Sequence, residues 1–235
     1  MKKAPATIAL LIAVIAGYVV QIAVSVRHYK TTSTATTAEA LISTFTQDQA
    51  AQWEEAGAIT PYTLRSGDFK RLLIAPFLHG GIVHLVLNAW ALLQFGVLLE
   101  WSLGSAWLLA IWFICGAAAS ATSAFFLHTG VSVGASGAIF GIVGVLVMVL
   151  GRQRWQQRLR IRIAIWAVLT ILLGFQSPVI DNAAHIGGFI GGYVVSSFLN
   201  PFARERGDHL LIAFACLLAS FLAIAFSVLR AFGIL

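Results

Sequence analysis

Residues 134–151 read Gly134-Ala135-Ser136-Gly137-Ala138-Ile139-Phe140-Gly141-Ile142-Val143-Gly144-Val145-Leu146-Val147-Met148-Val149-Leu150-Gly151, small and apolar throughout after one serine. A helix from Ser136 to Gly151 rises about 24 Å at 1.5 Å per residue. A bilayer's hydrocarbon core is about 30 Å thick, so such a helix is short for a full crossing. Set in a membrane, this run starts at Ser136 somewhat below one surface, in a cavity that water enters. Irregular backbone at that depth is tolerated only where it lines such a cavity.

The rest of the chain supplies the membrane setting. Of its 235 residues, 59% are hydrophobic and only 10% charged, where a soluble domain carries about 25% charged residues. Apolar runs long enough for spans lie at about 6–26, 82–101, 105–127, 136–151, 161–176, 183–199 and 209–232. The fold class is therefore all-α, a polytopic membrane helical bundle forming one domain over residues 1–235. Met1-Lys2-Lys3 and the run Ala6 to Val26 could serve as a secretory signal. The run is longer than an h-region of about 7–15 residues and no small-residue cleavage site follows, so it reads as a retained first span. One long connection, about 27–81, starts Thr-rich (Thr31 to Thr37) and turns helical around Asp48 to Ala58. Its mixed polarity suits the membrane interface.

The formal charge of +6 does not indicate nucleic acid, because the basic residues sit in short clusters between spans. Lys2 and Lys3 precede the first span. Arg152, Arg154, Arg158, Arg160 and Arg162 follow the fourth, and Arg204 and Arg206 follow the sixth. The opposite loops, Leu127 to Gly134 and Gln176 to Asp181, hold no Lys or Arg. By the positive-inside rule the N-terminus is cytoplasmic and the C-terminus outside. Cys115 and Cys216 each lie in an apolar run and read as packing residues.

Polar groups inside spans are costly and mark function by default. Four stand out: His84 and Asn88 on the second span, Ser136 opening the fourth, and His185 near the start of the sixth. These spans all run from outside to inside, so the four residues share a depth just under the outer face. Singly, each has a bland account as a back-bonded serine, a packed histidine or an interhelical amide. Together they form the set that acyl transfer needs. Ser136 is the candidate nucleophile and His185 the general base and acid. Gly137, Gly141 and Gly144 on one span and Gly187, Gly188, Gly191 and Gly192 on another let these two helices approach. His84 and Asn88, four apart, share a helix face and can donate to an oxyanion, with the backbone N–H of Ser136 beside them. Asp181 or Asn182 reads as the N-cap of the sixth span instead of a third catalytic group. His79 and His84 are poorly spaced for a metal, and no metal, nucleotide or organic cofactor is implied.

His79-Gly80-Gly81-Ile82-Val83-His84-Leu85-Val86-Leu87-Asn88, Gly134-Ala135-Ser136-Gly137-Ala138-Ile139-Phe140-Gly141 and Ala184-His185-Ile186-Gly187-Gly188, in that order, resemble the rhomboid intramembrane serine proteases. The likeness covers about residues 57–200. It implies a Ser136–His185 dyad without an acid, oxyanion binding by His84 and Asn88, and a six-span core to which span seven is an addition. It also implies an interfacial loop before span two, with Gly57-Ala58 and Gly67-Asp68-Phe69-Lys70-Arg71-Leu72-Leu73 as its pattern and Lys70 where a tryptophan is common. Phe140 stands at a position often held by tyrosine and keeps an aromatic face for His185. His79 is implied as structural support. Substrates are implied to be transmembrane proteins entering laterally between spans two and five, where Trp166 and Phe175 are candidate gate aromatics or, equally, core packing residues. The expected reaction is hydrolysis of a peptide bond near the outer membrane face, in a prokaryotic plasma membrane. A non-catalytic binder of membrane helices and a solute transporter are the other readings. The first would lack the serine or histidine, and the second favours an internal repeat that is not apparent.

Overall fold

The computed structural model describes residues 3–32, 36–39, 41, 50–152, 156–177, 180–198 and scattered positions from 211 to 229. Lys2, Arg154, Arg204, Arg206, Cys216, Asp48, residues 33–35 of the Thr-rich stretch and most of the expected seventh span lie outside them. The positions described in that span, among them Leu211, Phe214, Leu218, Leu222 and Ile224, are helical.

Eight α-helices organise the described chain. They are α1 Pro5–Thr32, α2 Ala50–Ala56, α3 Arg71–Ile74, α4 Ile82–Leu103, α5 Ser105–Phe126, α6 Ser136–Gly151, α7 Gln157–Gly174 and α8 Asn182–Ser196. A 3₁₀ turn, Ala75–Phe77, follows α3. Among the described residues the β-pairing is one isolated antiparallel bridge between Ile59 and Ser132. Helices α1, α4 and α5 are long and apolar enough to cross a membrane, whereas α6 is apolar but short. The fold is an all-α polytopic membrane bundle.

Its polarity is that of a lipid-solvated protein. On α1 the buried stripe is Leu10, Val14, Gly17, Tyr18, Gln21 and Val24. The opposite face, Ile8, Ile12, Ile15 and Val19, is equally apolar yet exposed. Helix α7 buries only Ile163, Ala167 and Gly174 and turns Ile161, Ile165, Val168, Leu169 and Leu172 outward. Helix α6 is the reverse: from Gly137 to Leu150 every residue but Met148 is buried. A helix apolar all round belongs at the centre of a bundle, and α4, α5, α7 and α8 all pack on it.

Two ends differ from the apolar runs. Helix α1 continues past Val26 to Thr32, because Arg27 to Thr32 stay helical although too polar for lipid. His28 on this extension meets Glu55 of α2 at 2.8 Å. Helix α7 starts one turn before residue 161, taking Arg158 and Arg160 into the helix.

Polar ties replace the hydrophobic effect, which does not drive helices together in lipid. Glu100, buried at the end of α4, accepts from the Ala6 and Thr7 N–H groups at 2.8 Å each, from Thr7 Oγ1 at 2.7 Å and from Ser105 Oγ at 2.6 Å. Two orphan N–H donors of the first turn of α1 are thereby satisfied. At the other end, Gln21 clamps the backbone of His79, its Nε2 donating to the carbonyl and its Oε1 accepting from the N–H, both at 2.8 Å.

Candidate active site

The approach to Ser136 is dictated by Gly134. Its φ of +131° lies where L side chains are strained, and a Cβ there would stand 2.7 Å from His84 Cε1 and 2.9 Å from His84 Nε2. Glycine thus lets the tip of the His84 ring lie against the backbone just before the serine. The Gly134 N–H fastens this loop to the carbonyl of Ala75 at 3.0 Å, and α6 begins at Ser136.

His84 and Asn88 both face this space. The Gly80 N–H donates to His84 Nδ1 at 3.2 Å. A backbone N–H can only donate, so a neutral His84 carries its proton on Nε2, the nitrogen beside Gly134. Asn88 Nδ2 donates to the His84 carbonyl at 3.0 Å and lies 3.9 Å from the position a Gly134 Cβ would take. The second amide hydrogen remains for another acceptor. His79 packs its fully buried ring edge-on to His84, with centroids 5.2 Å apart.

His185 reaches Ser136 from the first turn of α8, with Nε2 2.8 Å from Ser136 Oγ. Its ring stacks on Phe140 at 4.4 Å between centroids and 12° between planes. Close backbone approach makes the distance possible. A Cβ on Gly188 would fall 2.0 Å from the Gly137 carbonyl oxygen, and one on Gly192 would fall 2.0 Å from that of Gly141. No side chain fits between α6 and α8 at either point.

Asp181 caps α8: its Oδ1 accepts the Ala184 N–H at 2.9 Å. Its Oδ2 accepts from the Ser123 and Ser132 hydroxyls, the latter at 2.6 Å. His185 Nδ1 is buried and has no hydrogen-bond partner among the described residues. Serine and imidazole therefore meet without a carboxylate on the far side of the ring.

The Rhomboid domain family model matches residues 66–202, a stretch that includes every one of these groups. The chain belongs to the rhomboid family. Its similarity to the Rhomboid protease GluP of Bacillus subtilis (strain 168) is 36% identity over 160 residues, 67% of this chain and 31% of that protein. To the mitochondrial RHOMBOID-like protein 6 of Arabidopsis thaliana it is 34% over 150 residues, 62% of this chain and 49% of that protein. To the Inactive RHOMBOID-like protein 8 of the same plant it is 32% over 124 residues, 51% of this chain and 35% of that protein. The chain thus spans a third to a half of the length of these relatives.

Around this rhomboid core the segment 57–72 is held by Arg71. Its Nη1 donates to the carbonyls of Glu54 and Ala58, both at 2.7 Å, and its Nε to Asp68 at 2.8 Å. Lys70 also bonds Asp68, so the residue standing where the rhomboid pattern often has tryptophan is part of the same cluster. Of the two candidate gate aromatics, Phe175 is 70% exposed. Trp166 turns inward, 4.7 Å from the Phe95 ring and 5.5 Å from the Phe140 ring. Sequence reasoning misses Gln21, Glu100, Ser123 and Ser132. Glu100 and Gln21 carry a signal, as a carboxylate and an amide inside apolar runs.

Proposed function

We propose that this protein is a serine endopeptidase that hydrolyses peptide bonds of transmembrane proteins near the outer membrane face. Family membership carries the general reading, and the 2.8 Å contact between Ser136 Oγ and His185 Nε2 carries the specific one. In this mechanism His185 Nε2 removes the serine proton as Oγ attacks the scissile carbonyl. The tetrahedral oxyanion is met by His84 Nε2–H, the free Asn88 amide hydrogen and the backbone N–H of Ser136. Collapse breaks the C–N bond, and His185 returns its proton to the leaving amine. Water then attacks the acyl-serine with His185 again as base, releasing the new carboxyl terminus and restoring Oγ–H. Phe140 fixes the imidazole plane by stacking, a task that a carboxylate performs in triads. The scissile segment must be extended to reach Ser136, which favours small, helix-weakening residues at the cut. Basic residues between spans favour a cytoplasmic N-terminus and an outer-facing C-terminus.

A second reading is a non-catalytic holder of membrane helices, favoured by the similarity to a relative named inactive. One experiment separates them. Wild type, Ser136→Ala and His185→Ala are reconstituted in lipid with a panel of single-span test substrates. Cutting by wild type that both substitutions abolish is the expected outcome. Undiminished cutting by folded Ser136→Ala refutes the dyad, and binding without cutting by wild type favours the holder.

A further inference from the structure

Ser132 and Asp181 each lie four residues before a member of the dyad, and they are bonded to one another. The Asp181 carboxylate gathers three donors from three elements: the Ser123 hydroxyl in the last turn of α5, the Ser132 hydroxyl in the loop that delivers Ser136, and the Ala184 N–H in the first turn of α8. Its own carbonyl accepts the His185 N–H at 3.2 Å. Hydrogen bonds to an ionised carboxylate are about twice as strong as neutral ones. Capping α8 needs only one carboxylate oxygen and explains neither serine.

The network continues outward from Ser132. Its N–H and C=O exchange hydrogen bonds with Ile59, both at 2.9 Å. The residue before Ile59, Ala58, is held by Arg71. The end of α5, the nucleophile loop and the base helix therefore meet at one carboxylate, and the 57–72 segment joins them through the Ser132 backbone.

Building on the protease reading above, we infer that Asp181 is a positioning residue: it holds the Ser136 loop and the His185 helix in register and ties both to the 57–72 segment. It touches no reacting atom. With the glycine contacts fixing α6 against α8 further along, the Asp181 ties fix the mouth of the site, where Ser136 has just left irregular backbone.

The test is the rate at which a fluorophosphonate labels Ser136 in lipid, with kcat and KM for a single-span substrate alongside, and Ser136→Ala as the blank. Asp181→Ala is expected to lower labelling and kcat by about 10–100-fold with KM little changed, since a misplacement near 1 Å costs up to about 10²-fold. Asp181→Asn keeps the cap, and its amide can donate to serine hydroxyls that turn to accept. It is expected to recover most of the rate. Ser123→Ala combined with Ser132→Ala leaves the cap intact and is expected to lose about 10-fold with a smaller fall in thermal midpoint than Asp181→Ala, so a folding failure of Asp181→Ala does not decide the matter. Wild-type labelling rates in Asp181→Ala or in the double-serine variant would overturn the inference. Equal loss in Asp181→Ala and Asp181→Asn would also overturn it, by making charge and not the ties the operative feature. A wild type that neither labels nor cuts would sink the protease reading and this inference together.

Discussion

Replacing Gly188 with alanine puts a methyl group 2.0 Å from the Gly137 carbonyl oxygen, one residue from the nucleophile, with two further Gly137 backbone atoms within 3.4 Å. The obstacle is backbone, so no rotamer change relieves it. Bringing that contact to an ordinary distance of about 3.4 Å requires α6 and α8 to separate by about 1.4 Å at this level. His185 lies three residues before Gly188 on α8 and Ser136 directly precedes Gly137. The 2.8 Å dyad contact then opens to about 4 Å, beyond the roughly 2.6–3.2 Å that proton transfer needs. Overpacking of this kind costs about 1–3 kcal/mol, and a 1 Å misplacement costs about 10²-fold in rate. Gly191→Ala is the internal control. It lies on the same helix, but a Cβ there meets Ala118 Cβ at 3.3 Å and nothing else closer than 3.9 Å. Fluorophosphonate labelling of Ser136 and cleavage of a single-span substrate, both in lipid, are the assays, with thermal midpoints to count folded protein. Gly188→Ala should fall about 100-fold and Gly191→Ala less than about threefold. Comparable rates for the two variants would refute the claim that backbone contact between α6 and α8 sets the dyad distance.

Three further outcomes are expected. Glu100→Ala strands the donors of Ala6, Thr7 and Ser105, which should cost about 3 kcal/mol or more of stability; Glu100→Gln should cost less, as read by unfolding in mixed micelles. His84→Ala and Asn88→Ala should each lower kcat by about 10²–10³-fold with KM little changed, the signature of donors used mainly in the transition state. Burial pushes the Asp68 carboxyl up, but hydrogen bonds and charge from Lys70 and Arg71 outweigh it and hold the group below its ordinary value. A depressed folded value means that this stabilisation is full above the ordinary aspartate range and is lost as pH falls through the lowered value. The thermal midpoint of wild type should therefore drop on that acid limb, and Asp68→Asn should flatten it.

How far the sequence reveals such a protein depends on which physics each feature obeys. Helix α6 begins and ends where its apolar run does, because a serine after a glycine loop bounds it on one side and Arg152 caps it on the other. Helix α1 overshoots its run by six residues, since hydropathy reports burial in lipid and says nothing of helix continuing into water. Glu100 is legible in principle as the one charged residue in the run 82–101. It escapes notice because a charge near a span's end ordinarily reaches the interface, whereas here it turns inward to cap α1. Gln21 stands out only as an amide in the run 6–26, Ser123 and Ser132 leave no trace in spacing or composition, and the meaning of all three comes from partners 58, 58 and 49 residues away.

The glycines and the carboxylate act on the dyad by different routes. The α6–α8 contact is steric and neutral, so it is indifferent to salt and to pH within the folded range. The Asp181 ties are polar and join the end of α5, the loop before α6 and the start of α8, and they connect onward to Arg71 through Ser132, Ile59 and Ala58. A perturbation of the 57–72 segment therefore has a path to the nucleophile loop that bypasses the bundle interior, whereas one of the lipid-facing helices does not use it. Trp166 supplies the contrasting path: it touches Phe140, which stacks on His185, from the sparsely buried helix α7. A displacement of α7 is expected to reach His185 through Trp166 and Phe140, and one of the 57–72 segment to reach the Ser136 loop through Ser132. Substitutions on either path are then expected to change fluorophosphonate labelling of Ser136 by less than Gly188→Ala does, because the close backbone contact between two glycine-rich helices stays in place.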